Sequence, residues 1–295
     1  MKKSVFTGAG VAIVTPFGKD GKINYDLFGK LIDRQIENNT DAIIVCGTTG
    51  ESPVLDHDEH AAAIDFVVSY VGGRVPVVAG TGSNDTAYGL RLSNEAEKAG
   101  ADALLMVTPY YNKTSQNGLI KHYNYIADRV SAPIILYNVP SRTGVDIKPE
   151  TYLELSKHER IVATKEANGN IAALAKTISL CGDNLDVYSG NDDQITAFMS
   201  LGAKGVISVI SNVIPKDTHD MVYKYLDGDV KASAQLQLKY MNLCSSLFMD
   251  VNPIPVKEAL VMMGFDVGEC RMPLAPLSDC ARTILENTLK EYGLI

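Results

Sequence analysis

Residues 161–167 read IVATKEA, an almost unbroken apolar run that closes on a lysine and a glutamate, Lys165 and Glu166. A strand with one wet face alternates apolar and polar residues. A strand covered on both faces does not, so this run reads as a buried parallel strand. Seven more runs of the same kind occur: GVAIVTP (10–16), AIIVCGTTG (42–50), VPVVAGTG (75–82), ALLMVTPYY (103–111), PIILYNVP (133–140), LDVYSGND (185–192) and GVISVI (205–210). Helical periodicity fills the gaps between the first six. In YDLFGKLIDRQIENN, Leu27, Phe28, Leu31, Ile32 and Ile36 share one face, and the third such stretch runs from a cap at Asn84 to a stop at Gly100. Strand and helix alternating over about 210 residues, in units of roughly 20 to 35, match a (β/α)8 TIM barrel of the α/β class better than an open doubly wound sheet.

Residues 1–215 are assigned to this barrel and 216–295 to a helical extension packed on it, where ASAQLQLKYMNLCSSLF spaces Leu236, Tyr240, Leu243 and Leu247 by three and four. A chain of 295 residues, 46% hydrophobic and 21% charged, can bury one large core. Its 27 Lys and Arg against 35 Asp and Glu leave a formal charge of −8 and no basic run, which argues against a nucleic-acid partner. The five cysteines are scattered without CxxC spacing, which fits reduced thiols in the cytoplasm better than a disulfide framework or a zinc site. The opening MKKSVFTGAGVAIVTPF imitates a secretory leader, but Thr7 and the Thr15-Pro16 pair interrupt it and no A-x-A site follows. No run nears the roughly 18 apolar residues of a membrane span, so no membrane partner is expected.

In such a barrel the active site lies at the carboxyl ends of the strands. Polar residues gather there: Thr48 and Thr49 after the second strand, Tyr110 and Tyr111 after the fourth, Tyr137 and Asn138 on the fifth, Lys165 and Glu166 on the sixth, Asn191 and Asp192 after the seventh, and Ser208 on the eighth. By position alone Lys165 is a solvated surface residue, an ion-pair partner of Glu166, or a Schiff-base nucleophile. The last role needs a neutral amine. A lysine with a pKa near 10.4 is only about a tenth of a percent deprotonated at neutral to slightly alkaline pH, and desolvation raises that fraction. An imine made from a ketone also needs a proton relay. Tyr137, one strand earlier, is either that acid and base or an interior aromatic with a satisfied hydroxyl, while Thr48 and Tyr111 can pass protons. GTTGES (47–52) lacks the lysine of a P-loop, and GTGSN (80–84) lacks the third glycine of a dinucleotide fingerprint. A glycine-flanked Thr-Thr turn does offer N–H groups and hydroxyls to a small carboxylate.

The ordered set GTTGES, TPYYNK, YNVPSRTG, ATKEA and SGND, with NPIPVKEAL (252–260) and MPLAP (272–276) in the tail, resembles the dihydrodipicolinate synthase family. That family belongs to the pyruvate-dependent class I aldolases, which include N-acetylneuraminate lyase. The resemblance implies an enzyme of lysine biosynthesis that condenses pyruvate with L-aspartate 4-semialdehyde and uses no metal or organic cofactor. It implies that Lys165 forms the imine with pyruvate, that Tyr137 is the central acid and base, and that Thr48 and Tyr111 complete the relay, Tyr111 from a neighbouring subunit. Thr49 and its turn would hold the pyruvate carboxylate, with Gly190 and the Ile207 carbonyl lining the opposite side. A homotetramer built from tight dimers is the implied assembly.

Arg142, in NVPSRTG, is read as the clamp for the semialdehyde carboxylate, because a guanidinium grips a carboxylate through two parallel hydrogen bonds. A sugar-acid acceptor presents mainly hydroxyls; a sugar-acid lyase on the same barrel is the alternative, and a non-catalytic metabolite-binding regulator is another. Lysine-inhibited members of the family use a serine, two histidines, an asparagine, a glutamate and a tyrosine at a subunit interface. The matching positions are Ser52, His57, His60, Asn84, Tyr88 and Tyr110. Tyr88 stands in place of the glutamate, so the lysine ammonium would lack its carboxylate and weak or absent inhibition is expected. His57 and His60 have no further His or Cys ligand nearby in sequence, and no metal is expected.

Overall fold

The computed structural model describes residues 2–295. Eight strands form a closed barrel in chain order: β1 (Gly8–Ala12), β2 (Ala42–Val45), β3 (Val77–Gly80), β4 (Ala103–Val107), β5 (Ile134–Asn138), β6 (Ile161–Glu166), β7 (Asp186–Ser189) and β8 (Gly205–Ser208). All pairings are parallel, and β8 returns to β1 through Gly8↔Gly205 to Val11↔Ser208. The helices are α1 (Tyr25–Glu37), α2 (His57–Val71), α3 (Thr86–Ala99), α4 (Gln116–Ala127), the one-turn α5 (Pro140–Thr143), α6 (Pro149–Leu155), α7 (Ile171–Cys181), α8 (Ile195–Ser200), α9 (Pro215–Leu226), α10 (Val230–Lys239), α11 (Met241–Leu247), α12 (Ile254–Met262) and α13 (Asp279–Glu291). The TIM barrel expected from the apolar runs is the fold, and a helical tail follows it. None of these helices is long and apolar enough to cross a membrane.

Two apolar layers explain why the runs do not alternate. Residues on one face of each strand, among them Ala12, Ile44, Val78, Leu105, Ile135, Tyr137, Ala163, Tyr188 and Ile207, fill the barrel. Residues between them, such as Val11, Ile43, Leu104, Met106 and Val206, pack under the helices. Phe6 closes the amino-terminal end, its ring stacked on Tyr188 at 4.3 Å. The opposite end is left for polar residues.

Three local boundaries differ from the sequence reading. The cap of α3 is Asp85, not Asn84: Asp85 is the extended residue, and its carboxylate accepts from the Ala87 N–H at 2.9 Å. Gly100 ends that helix as expected, with φ +94. The periodic stretch around Tyr240 is two helices, α10 and α11, because Tyr240 leaves helical geometry where its hydroxyl donates to Asp217 on α9. Finally, α9 packs on β1 and β8, so the last helix of the barrel comes from a segment that the 1–215 boundary places almost wholly in the extension.

Candidate active site

Alternation along β6 sets the first fact of the site. Lys165 shares the inward face with Ala163, and Glu166 leaves the strand on the other side. Glu166 is buried against α6, accepting from Tyr152 Oη at 2.8 Å, Asn138 Nδ2 at 3.0 Å and the Asn168 N–H at 2.9 Å. Burial pushes its carboxyl up to about 7 despite those donors. The Lys165–Glu166 ion pair is thereby excluded, and so is a solvated lysine, since Lys165 is only 5% exposed. Tyr137 is its cross-strand partner on β5, and Nζ lies 4.3 Å from the centre of the Tyr137 ring.

Gly190 borders the lysine stem. A Cβ there would sit 2.8 Å from Ala167 Cβ and 3.2 Å from Lys165 Cε, so only glycine leaves the side chain its room. Ile207 faces inward on β8 in the same layer as Tyr137. The turn after β8 is pinned by Asp192, whose Oδ2 accepts from the Val209 and Ile210 N–H groups at 3.0 and 2.9 Å. Burial raises the Asp192 carboxyl, and donors including Ser208, then the charge of Lys165, oppose that rise.

The threonine turn after β2 is wound between two residues in the left-handed region, Cys46 at φ 53 and Glu51 at φ 57. The N–H groups of Gly50, Glu51 and Ser52 are satisfied inside the turn, whereas those of Thr48 and Thr49 have no protein acceptor among the described residues. Such a pair of free donors can receive a carboxylate. Thr15 Oγ1 donates to the Gly50 carbonyl at 2.7 Å and fixes the turn from the segment that follows β1. Thr49 is buried, and its Oγ1 accepts from Asn252 Nδ2 at 3.0 Å. Arg142 Nη2 donates to the Asn252 carbonyl at 3.2 Å. Asn252 therefore joins the residues assigned to the two substrate carboxylates.

A cavity of about 370 Å³ opens beside the turn, lined by Thr48, Arg142, Val139 and Thr143 and by Ser52, His60, Tyr88 and Tyr110. Four of the six residues matched to the lysine site thus share one cavity with Thr48 and Arg142. The other two are not among its lining residues: His57 packs its ring 5.8 Å from that of Tyr88 and its Nε2 meets Glu95 Oε1 at 3.2 Å, and the Asn84 backbone carbonyl accepts from Asn112 Nδ2. His60 donates from Nε2 to the Gly80 carbonyl at 2.8 Å, and burial lowers its pKa, which leaves it neutral near pH 7. No carboxylate is among the lining residues. Tyr111 joins nothing within its own chain. It is 91% exposed, on a backbone at φ +69 that a tyrosine rarely adopts.

Sequence reasoning gave no role to Asn252, Glu51 or Lys257. The last two form the one buried lysine–carboxylate pair among the described residues, Nζ to Oε1 at 2.8 Å. A signal existed for Lys257, because a lysine within the apolar helix IPVKEALVM raises the same question as Lys165.

Comparison with known proteins shows the family of the chain. Residues 5–292 match the Dihydrodipicolinate synthetase family. The chain is 52% identical over 295 residues, 100% of both chains, to the 4-hydroxy-tetrahydrodipicolinate synthase of Acetivibrio thermocellus. Among solved structures, it superposes with a TM-score of 0.96 and 41% identity on the dihydrodipicolinate synthase of Acinetobacter baumannii complexed with pyruvate, covering 99% of this chain and 100% of that one. A dihydrodipicolinate synthase variant described as monomeric is equally similar in fold, with a TM-score of 0.96 and 43% identity over 99% of this chain and 98% of its own.

Proposed function

Because the chain belongs to the dihydrodipicolinate synthetase family, we propose that it condenses pyruvate with L-aspartate 4-semialdehyde to 4-hydroxy-tetrahydrodipicolinate, through an imine on Lys165. The observation that carries the reading is the burial of Lys165, only 5% exposed, with its Nζ 4.3 Å from the centre of the Tyr137 ring.

Lys165 Nζ adds to C2 of pyruvate, and the carbinolamine loses water to give the imine. A proton leaves C3, and the resulting enamine attacks the aldehyde carbon of the semialdehyde, whose oxygen takes up a proton. The acceptor's own amine then adds at C2, expels Lys165 Nζ and closes the ring. Tyr137 gives and takes these protons, with Thr48 and Tyr111 carrying them to and from it. The free N–H groups at Thr48 and Thr49 hold the pyruvate carboxylate, Gly190 and the Ile207 carbonyl bound the other side, and Arg142 receives the semialdehyde carboxylate.

Tyr111 belongs, on this reading, to the site of a second copy of the chain; its exposure and left-handed backbone support that assignment. Two chains are then the least assembly with a complete relay, and the homotetramer is a pair of such dimers. Purified protein supplied with pyruvate and L-aspartate 4-semialdehyde should consume pyruvate rapidly and leave N-acetylneuraminate intact. Cleavage of N-acetylneuraminate without condensation would keep Lys165 and overturn the substrate assignment.

A further inference from the structure

No step of the proposed reaction uses Glu51 or Lys257, yet their side chains are only 1% and 2% exposed and are paired at 2.8 Å. Taking two charges out of water is costly, and an apolar pair of the same volume would serve stability as well, so the pair needs another reason. Its surroundings supply one. Glu51 ends the threonine turn in the left-handed region, and its N–H donates to the Thr48 carbonyl at 3.1 Å. Its Oε1 accepts from Lys257 on α12, and its Oε2 accepts from the Arg271 N–H at 2.8 Å. Lys257 also donates to the Glu269 carbonyl at 3.0 Å and lies 4.4 Å from the centre of the Phe17 ring. Arg271 forks onto Glu59 of α2 through two bonds of 2.6 Å. Gly268 closes the strap over Phe17, where a Cβ would come within 2.3 Å of the Phe17 carbonyl oxygen.

We propose that Glu51 and Lys257 are a positioning pair that locks the Thr48–Thr49 turn to the carboxy-terminal extension, which makes the extension part of the pyruvate-carboxylate site. The inference rests on the role given above to that turn. A glutamate held in the left-handed region by a buried cation and a backbone N–H relaxes when either is lost. Without Lys257 the carboxylate moves toward water and draws the Thr48 carbonyl with it. The donors at Thr48 and Thr49 then miss the pyruvate carboxylate, while Lys165 and Tyr137, on other strands, stay where they are. Pyruvate capture suffers more than the later chemistry.

The test is the rate of borohydride trapping of the imine as a function of pyruvate concentration, in the wild type and in Lys257→Met, Glu51→Gln and the double variant, with thermal unfolding measured alongside. Lys257→Met should lower trapping at subsaturating pyruvate by about 10- to 10²-fold, the scale of a misplacement near 1 Å, and recover much of the rate at saturation. Adding Glu51→Gln to it removes the unpaired carboxylate and should restore roughly threefold or more of the loss. Glu51→Gln keeps the side-chain volume and one acceptor oxygen, enough for Lys257 or the Arg271 N–H but not both, so it reports on position even if Lys257→Met misfolds; its half-saturating pyruvate concentration should rise. An unchanged pyruvate dependence in folded Glu51→Gln, or losses that simply add in the double variant, overturns the positioning role. Absence of trapping in the wild type instead overturns the imine reading beneath it.

Discussion

Replacing Gly190 by alanine tests the site at its narrowest point. The new methyl would lie 2.8 Å from Ala167 Cβ, 3.1 Å from the Glu166 carbonyl oxygen and 3.2 Å from Lys165 Cε. Carbon atoms rest at about 3.5–4.0 Å, so two of these neighbours must yield by several tenths of an ångström. The backbone of Gly190 is outside the left-handed region, so alanine brings no conformational strain and the effect isolates crowding. Overpacking of this kind costs about 1–3 kcal/mol, offset by about 0.4–1 kcal/mol from the stiffer unfolded chain. The backbone contact cannot move cheaply, which leaves the lysine stem to swing. A displacement of Nζ approaching 1 Å lowers the rate of attack on pyruvate by about 10²-fold. Borohydride trapping followed by mass spectrometry reads that rate, and thermal unfolding reads the stability. Trapping by Gly190→Ala at the wild-type rate would refute the crowding argument.

Tyr137→Phe keeps the ring that covers Lys165 and removes only the hydroxyl; kcat for condensation should fall by roughly 10²- to 10⁴-fold with little change in unfolding temperature. An unchanged kcat would make Tyr137 a packing residue. Glu166 gives a pH signature: its carboxyl is raised from 4.5 to about 7, so the folded state holds a proton that the unfolded state releases. That contribution is complete below about pH 4.5 and fades as pH rises through 7, a decline of roughly 3 kcal/mol in unfolding free energy that Glu166→Gln should lack. Parallel denaturation profiles from about pH 5 to 8 would remove the effect. Lysine should inhibit weakly, since no carboxylate lines the cavity that Ser52, His60, Tyr88 and Tyr110 share. Strong inhibition below about 1 mM, a dissociation constant worth roughly 4 kcal/mol, would contradict that expectation.

The barrel was readable because parallel strands buried on both faces leave long apolar runs; seven of the eight runs hold a whole strand, and the first, at 10–16, overlaps only the end of β1 (Gly8–Ala12). Lys165 stood out for the same reason: a charge at the end of such a run needs an explanation. Alternation alone could also have separated Lys165 from Glu166, since neighbours on a strand point to opposite faces. What stayed hidden depends on contacts far apart in the chain. Asn252 meets Thr49 across 203 residues and Lys257 meets Glu51 across 206, and no local pattern encodes either. Asn84 and Asp85 are equally good caps by residue type, so only the backbone distinguishes them. Tyr111 points away from its own barrel, and a periodicity argument confined to one chain has no place for it.

The central claim is that Lys165 is the nucleophile. Borohydride reduction in the presence of pyruvate, followed by peptide mapping, addresses it directly. A single adduct on the peptide that carries Lys165, lost in Lys165→Ala while the fold persists, is the predicted result. An adduct on Lys257 or another lysine, or none despite turnover, would contradict it.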